Sequence, residues 1–152
     1  MQQLNTTSLQ NLPQNIEKPT NLFATIKSGI VHFGTGNFHR AHQAVYCDSL
    51  LNKGHSDWGI TGVSLRSSGV RDNLAPQNWL YTLAILGKST HYRIIRAIQN
   101  LLVAPENPQL VIDKVAHQQT QLVTTTITEK GYCLTNSEIA VDHQDFAKDL
   151  IS

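Results

Sequence analysis

The chain has 152 residues, 40% hydrophobic and 15% charged, with 12 Lys and Arg against 11 Asp and Glu for a formal charge of +1. That length supports one core, and a charge this close to balance gives no electrostatic footing for nucleic acid or an anionic membrane as the main partner. No apolar run approaches the ~20 residues of a membrane span.

The start, Met1-Gln2-Gln3-Leu4, lacks the basic-then-apolar pattern of a secretory leader. Cys47 and Cys133 form neither a CxxC nor a disulfide framework, so a reduced, cytoplasmic setting is the expectation.

Residues 1–24 are rich in Gln and Asn, carry Pro13 and Pro19, and show no period. They read as a flexible lead-in lying over the domain. The first strong element is Ile30-Val31-His32-Phe33, a short β-branched run stopped by Gly34-Thr35-Gly36, which reads as a buried strand. Ala41, Ala44, Val45 and Leu51 then recur at helical spacing, predicting a helix over 38–52 that stops at Lys53-Gly54. Trp58 to Leu65 reads as a second strand, completing a βαβ unit whose strands run parallel.

A loop with a helical turn at Val70–Leu74 follows, and then two arms of a hairpin, Leu80–Leu86 and His91–Ile98. Asn107-Pro108 sets an N-cap before a proline at the first helical position, predicting a helix to about His117. Leu122–Thr128 is a further strand, Tyr132–Val141 a small hairpin, and Asp142–Ile151 the start of another helix. The pattern predicts an α/β, Rossmann-like domain: a mostly parallel sheet with a β-hairpin insertion.

Gly34-Thr35-Gly36 stands between strand and helix, the context a dinucleotide fingerprint requires. One glycine permits the tight turn and the next lets backbone approach a pyrophosphate. The third glycine of G-x-G-x-x-G is absent, with His39 in its place, so a purely structural glycine turn is the alternative. The acid expected ~20 residues on falls near Asp57, before the second strand rather than at its end. That strand ends in Leu65-Arg66-Ser67-Ser68, an Arg and two hydroxyls suited to a ribose 2′-phosphate. The competing reading is a solvated loop in which Arg66 pairs with Asp72.

Asn37, Phe38, His39 and Arg40 open the helix, and His and Arg there can donate to anionic oxygens. His39 and His42, three apart, can share one helical face, but no further ligands at zinc spacing accompany them, and no metal site is expected. Thr128, Glu129 and Lys130 close a strand predicted parallel to the first, which sets them beside the crevice where such sheets bind ligands; a salt-bridged strand end is the alternative.

IVHFGTGNFHRAHQAVYCDSLL (30–51), WGITGVSLR (58–66), RDNLAPQ (71–77), LYTL (80–83), IIRAIQNLLVAPENP (94–108) and TITEKGYC (126–133) together resemble the start of the mannitol dehydrogenase family, the polyol-specific long-chain dehydrogenases, which also contains fructuronate (mannonate) oxidoreductases. The resemblance implies reversible NAD-dependent oxidation, NADP being the alternative cofactor, of a polyol or sugar-acid secondary alcohol to the keto sugar.

It also implies that Gly34, Gly36, Phe38, His39 and Arg40 form the cofactor loop and that Thr128, Glu129 and Lys130 lie beside the nicotinamide. His39 is then a trait of the family. Asn78-Trp79 departs from the small Asp-Gly turn expected before LYTL.

In the family a CDNxxxNG-type segment and a helical substrate domain with the catalytic lysine follow, and none of these motifs occurs here. The expectation is therefore an N-terminal portion, residues 25–152, of the NAD(P)-binding Rossmann domain. The substrate domain would be absent, no residue is assigned as catalytic, and the isolated chain would show no turnover. A non-catalytic nucleotide-binding module is the alternative from another class.

Overall fold

A computed structural model describes residues 3–20, 25–127, 134–135 and 138–139. In chain order its elements are β1 (Ile16–Glu17), β2 (Ile30–Phe33), α1 (Asn37–Ala41), α2 (Gln43–Asn52), β3 (Ile60–Ser64), α3 (Gly69–Leu74), β4 (Tyr81–Ile85), β5 (His91–Ile95), β6 (Ile98–Val103), α4 (Pro108–Ala116), β7 (Leu122–Thr125), β8 (Leu134–Thr135) and β9 (Glu138–Ile139). Among these residues no helix is long and apolar enough to cross a membrane.

Four strands form a parallel sheet in the order β6-β3-β2-β7. In sequence order these are third, second, first and fourth, the arrangement of a doubly wound half. Side chains along β2 alternate between faces. Ile30 packs with Ala44, Cys47 and Leu51 of α2 and with Ile60, while Val31 packs with Val63 and with Val111 of α4. The sheet thus lies between α2 and α4, and both its central strands are apolar because both faces are covered. β3 tolerates Gly62 at its centre for a steric reason: a Cβ there would stand 2.4 Å from Thr35 Cγ2.

The predicted helix over 38–52 is in fact two helices broken at His42, whose φ and ψ are −123° and −89°. His42 Nδ1 donates to the Phe38 carbonyl at 2.9 Å, its ring stacks on Phe38, and the Arg40 carbonyl accepts from the Tyr81 hydroxyl at 2.7 Å. Local side-chain bonding and a tertiary donor thereby stabilise the break.

The second hairpin arm ends at Ile95, not Ile98. The chain leaves the hairpin at Arg96-Ala97 and enters the main sheet as β6, a strand that the polar Gln99-Asn100 pair conceals from a periodicity reading. Ile60 faces Ile98 but Thr61 faces Asn100, so Gln99 is an extra bulged residue.

Residues 3–20, part of the lead-in expected to be flexible, carry fixed elements. β1 pairs with β5, Ile16 opposite Tyr92, and Leu9 is buried against Leu80 and Ile94. Asn78 and Trp79 both adopt positive φ, 53° and 64°, and Asn78 Oδ1 accepts from the Thr6 backbone at 3.3 Å. β8 and β9 pair antiparallel, as the small hairpin expected over 132–141 requires. The helix expected over 142–151 lies outside the described residues.

Candidate functional site

Chain order runs β2, β3, β6 outward in one direction and then returns to β7 on the other side of β2. The carboxyl ends of β2 and β7 therefore flank the point where winding reverses, which is where open parallel sheets bind ligands. A cavity of about 520 Å³ opens there, lined by Gly34 to Phe38, Ser64 to Ser67, Val70 and Thr126. A second cavity, about 440 Å³, runs along α4 beside Phe33, Val111 and Ile112. Its lining is apolar and presents no side-chain donor for a phosphate.

The turn after β2 is held from several sides. Gly34 has φ +92°, a conformation costly for other residues. Its N–H donates to the Val63 carbonyl at 2.9 Å, and Thr126 N–H donates to the Phe33 carbonyl at 2.9 Å. A Cβ on Gly34 would lie 3.2 Å from the Thr126 carbonyl oxygen. The Arg40 guanidinium reaches back to the Thr35 carbonyl at 2.9 Å and to Asn37 Oδ1.

Gly36 is different. Its φ of −68° suits any residue, and a Cβ there would have nothing within 4 Å. Nothing inside the described chain requires a glycine at that position, while the first-turn N–H groups of α1 begin beside it.

Of the residues singled out from sequence, Gly34, Thr35, Gly36, Asn37, Phe38, Arg66 and Ser67 are gathered in this cavity. His39 and Arg40 are not among its walls. His39 is 1% exposed and stacks on His32, ring centroids 3.7 Å apart. It shares no face with His42, whose ring lies on Phe38. Arg40 braces the loop from behind. Thr128, Glu129 and Lys130 lie outside the described residues.

The reading of Arg66 paired with Asp72 also gives way. It is Arg71 that bonds Asp72 at 3.1 Å and grips both carboxylate oxygens of Glu106, one at 3.0 Å. A guanidinium on α3 reaches the β6–α4 turn more directly than one in the loop before α3.

Sequence reasoning did not single out His32. Its Nδ1 is hydrogen-bonded to Thr124 Oγ1 at 2.7 Å and its Nε2 to Thr126 Oγ1 at 3.0 Å, so it ties β2 to β7 directly beneath the cavity. The only signal was position: a polar residue inside an apolar strand needs buried partners.

Burial pushes the His32 imidazole below its ordinary range, against the opposing pull of the Gly34 carbonyl. Burial, aided by His32 and Arg40, pushes His39 down to about 3. The unfolded chain takes up protons near pH 6.5 and the folded chain does not, so stability is complete above that pH and falls as pH drops toward 3. His39 alone is expected to remove about 2 kcal/mol between pH 7 and pH 5. Urea titrations at the two pH values measure this; equal stabilities would contradict it, and His39→Phe should flatten the dependence.

Comparison with known proteins agrees with this geometry. A family model described as the mannitol dehydrogenase Rossmann domain matches residues 28–152. Mannitol 2-dehydrogenase of Phaeosphaeria nodorum is 43% identical over 97% of this chain and 27% of its own length. The corresponding protein of Pyrenophora tritici-repentis is 42% identical with the same coverage.

Among solved structures, Pseudomonas fluorescens mannitol 2-dehydrogenase in a ternary complex with NAD and D-mannitol superposes with a TM-score of 0.86 at 41% identity, over 99% of this chain and 32% of that one. A substrate-free D-sorbitol dehydrogenase gives 0.82 at 31% identity, with the same two shares covered. The chain thus spans about 27% of the length of the first curated relatives it matches. Sheet order, glycine turn and family match together show that this chain belongs to the mannitol dehydrogenase family, within the family's Rossmann domain.

Proposed function

We propose that the cavity at the ends of β2, β3 and β7 binds a nicotinamide dinucleotide, and that the protein interconverts a polyol and its ketose, of the mannitol-to-fructose kind. One observation carries the nucleotide reading: Gly36 leaves a space that its own chain neither fills nor needs, on the wall of the cavity at the sheet's winding reversal.

The residues present fit such a group. Backbone N–H groups at the start of α1 suit a pyrophosphate, Gly34 and Gly36 keep the approach open, and Asn37, Phe38, Arg66 and Ser67 line the flanks. We assign Thr128, Glu129 and Lys130, which follow β7, to the nicotinamide side. His39 and Arg40 act by fixing the loop. When bound, the nicotinamide supplies the hydride acceptor or donor for the carbon bearing the secondary hydroxyl. The chain's own residues hold and orient it, which is the larger part of what a dehydrogenase fold contributes.

The relatives that carry the mannitol dehydrogenase name are roughly three to four times as long. Residues 1–152 by themselves are accordingly expected to bind NADH and to give no turnover with mannitol or fructose. Fluorescence titration with NADH tests the first statement, and a steady-state assay the second. A folded chain that leaves NADH fluorescence unchanged at millimolar concentration refutes the cavity assignment.

A further inference from the structure

The end of β3 offers a guanidinium where an unphosphorylated adenosine ribose is ordinarily met by a carboxylate. In folds of this type the acid after the second strand accepts hydrogen bonds from the ribose hydroxyls, whereas an arginine nearby accommodates a 2′-phosphate. Here β3 runs out into Leu65, Arg66 and Ser67, all on the cavity wall, and among the described lining residues there is no carboxylate.

The acids close by in sequence are engaged elsewhere. Asp57 precedes β3, at the opposite end of the sheet, and pairs with Lys27 at 3.3 Å. Asp72 is held by Ser68 and then Arg71, which keep its carboxyl below the usual range. Glu106 is gripped by Arg71.

The arginines sort the same way. Arg40, Arg71, Arg93 and Arg96 all have partners for their side chains. Among the described arginines only Arg66 has none, although it is exposed on the rim of a cavity already suited to phosphate. A planar fork of donors with no internal acceptor is what a phosphate dianion needs, and the neighbouring Ser67 hydroxyl adds one more donor. No nearby free carboxylate among the described residues opposes the added negative charge.

We infer that the site accepts the 2′-phosphorylated dinucleotide, with the Arg66 guanidinium and the Ser67 hydroxyl as its recognition pair. This rests on the reading that the cavity binds a dinucleotide, and the experiment separates the two.

Isothermal titration of the full chain with NADP+ and NAD+, and with adenosine 2′,5′-bisphosphate and 5′-AMP, isolates the added phosphate. NADP+ is expected to bind within threefold of NAD+ or more tightly. Arg66→Ala is expected to weaken NADP+ about tenfold more than it weakens NAD+. Arg66→Lys should recover part of that difference, because a point charge lacks the fork. Raising the salt concentration should erode NADP+ binding more steeply than NAD+ binding.

Thermal melts of the variants confirm folding, which an exposed, unpartnered side chain does not endanger. If NAD+ binds and NADP+ is more than threefold weaker, or if Arg66→Ala weakens both alike, the inference falls while the nucleotide reading stands. If neither binds to a folded chain, both fall together.

Discussion

Gly36→Ala is expected to leave the fold untouched and to weaken dinucleotide binding about a hundredfold. The backbone there has φ −68°, which alanine adopts without strain, and the added methyl meets no atom of the chain within 4 Å. Stability should change by less than about 0.5 kcal/mol, with a slight gain from a stiffer unfolded chain.

The methyl enters the space beside the turn between β2 and α1, where backbone and pyrophosphate must come close. A pyrophosphate pushed off the turn loses backbone N–H hydrogen bonds to its charged oxygens, and about 1.5–3 kcal/mol for such a bond is a loss of this order. A thermal melt and a titration with NADH read the two halves separately. Normal binding by Gly36→Ala would mean that the ligand does not approach this turn.

Asp48→Ala is expected to cost about 3–5 kcal/mol of stability. Asp48 sits on α2 and is 0% exposed. Its Oδ2 accepts from Arg93 Nη2 at 2.8 Å and from Asn52 Nδ2 at 3.2 Å, and its Oδ1 accepts from the Arg96 backbone N–H at 3.0 Å. One carboxylate therefore joins α2, β5 and the short link that carries the chain into β6.

Removing it takes the buried carboxylate from a largely buried guanidinium, which keeps only Ser49 and the exposed Glu17, and leaves the buried Arg96 N–H without its acceptor, which costs more than the intact pair contributes. A loss of this size is a large share of the roughly 5–15 kcal/mol that holds a domain together. Urea denaturation monitored by circular dichroism measures it. A difference below about 1 kcal/mol would show that the partners Arg93 already has besides Asp48, Glu17 at 3.2 Å and the Ser49 hydroxyl at 3.0 Å, suffice to hold its charge.

Neither expectation follows from the sequence in the same way. Gly36 was visible as part of a strand–glycine–helix pattern, though what makes it informative, an empty surrounding at an ordinary φ, is a fact of three dimensions. Asp48 carried no signal, because an aspartate in a helical window reads as a solvent-facing residue. Its partners on Arg93 and Arg96 lie 45 and 48 positions away.

The helix α4 was legible because its start obeys a local rule, Asn107 Oδ1 accepting from the Leu110 N–H at 3.2 Å. β6 was not, since Gln99 and Asn100 break its apolar run, and only pairing with β3 across a bulge makes it a strand.

His39 shows the limit most plainly. Its position in the glycine motif suggested contact with phosphate, yet the packing of β2 against α1 turns it inward onto His32. Arg66 shows the reverse: placed correctly after the second strand, it became interpretable only when Asp72 and Glu106 were found on Arg71.

The order of residues by itself determined the βαβ start, the glycine turn, the capped helix and the family, because each depends on groups within a few positions of one another or on a motif read directly. Which imidazoles are buried, which of the described arginines lacks a partner and which acids are paired were decided by the tertiary structure alone. Those properties depend on distances between residues far apart in the chain, and no local pattern encodes them.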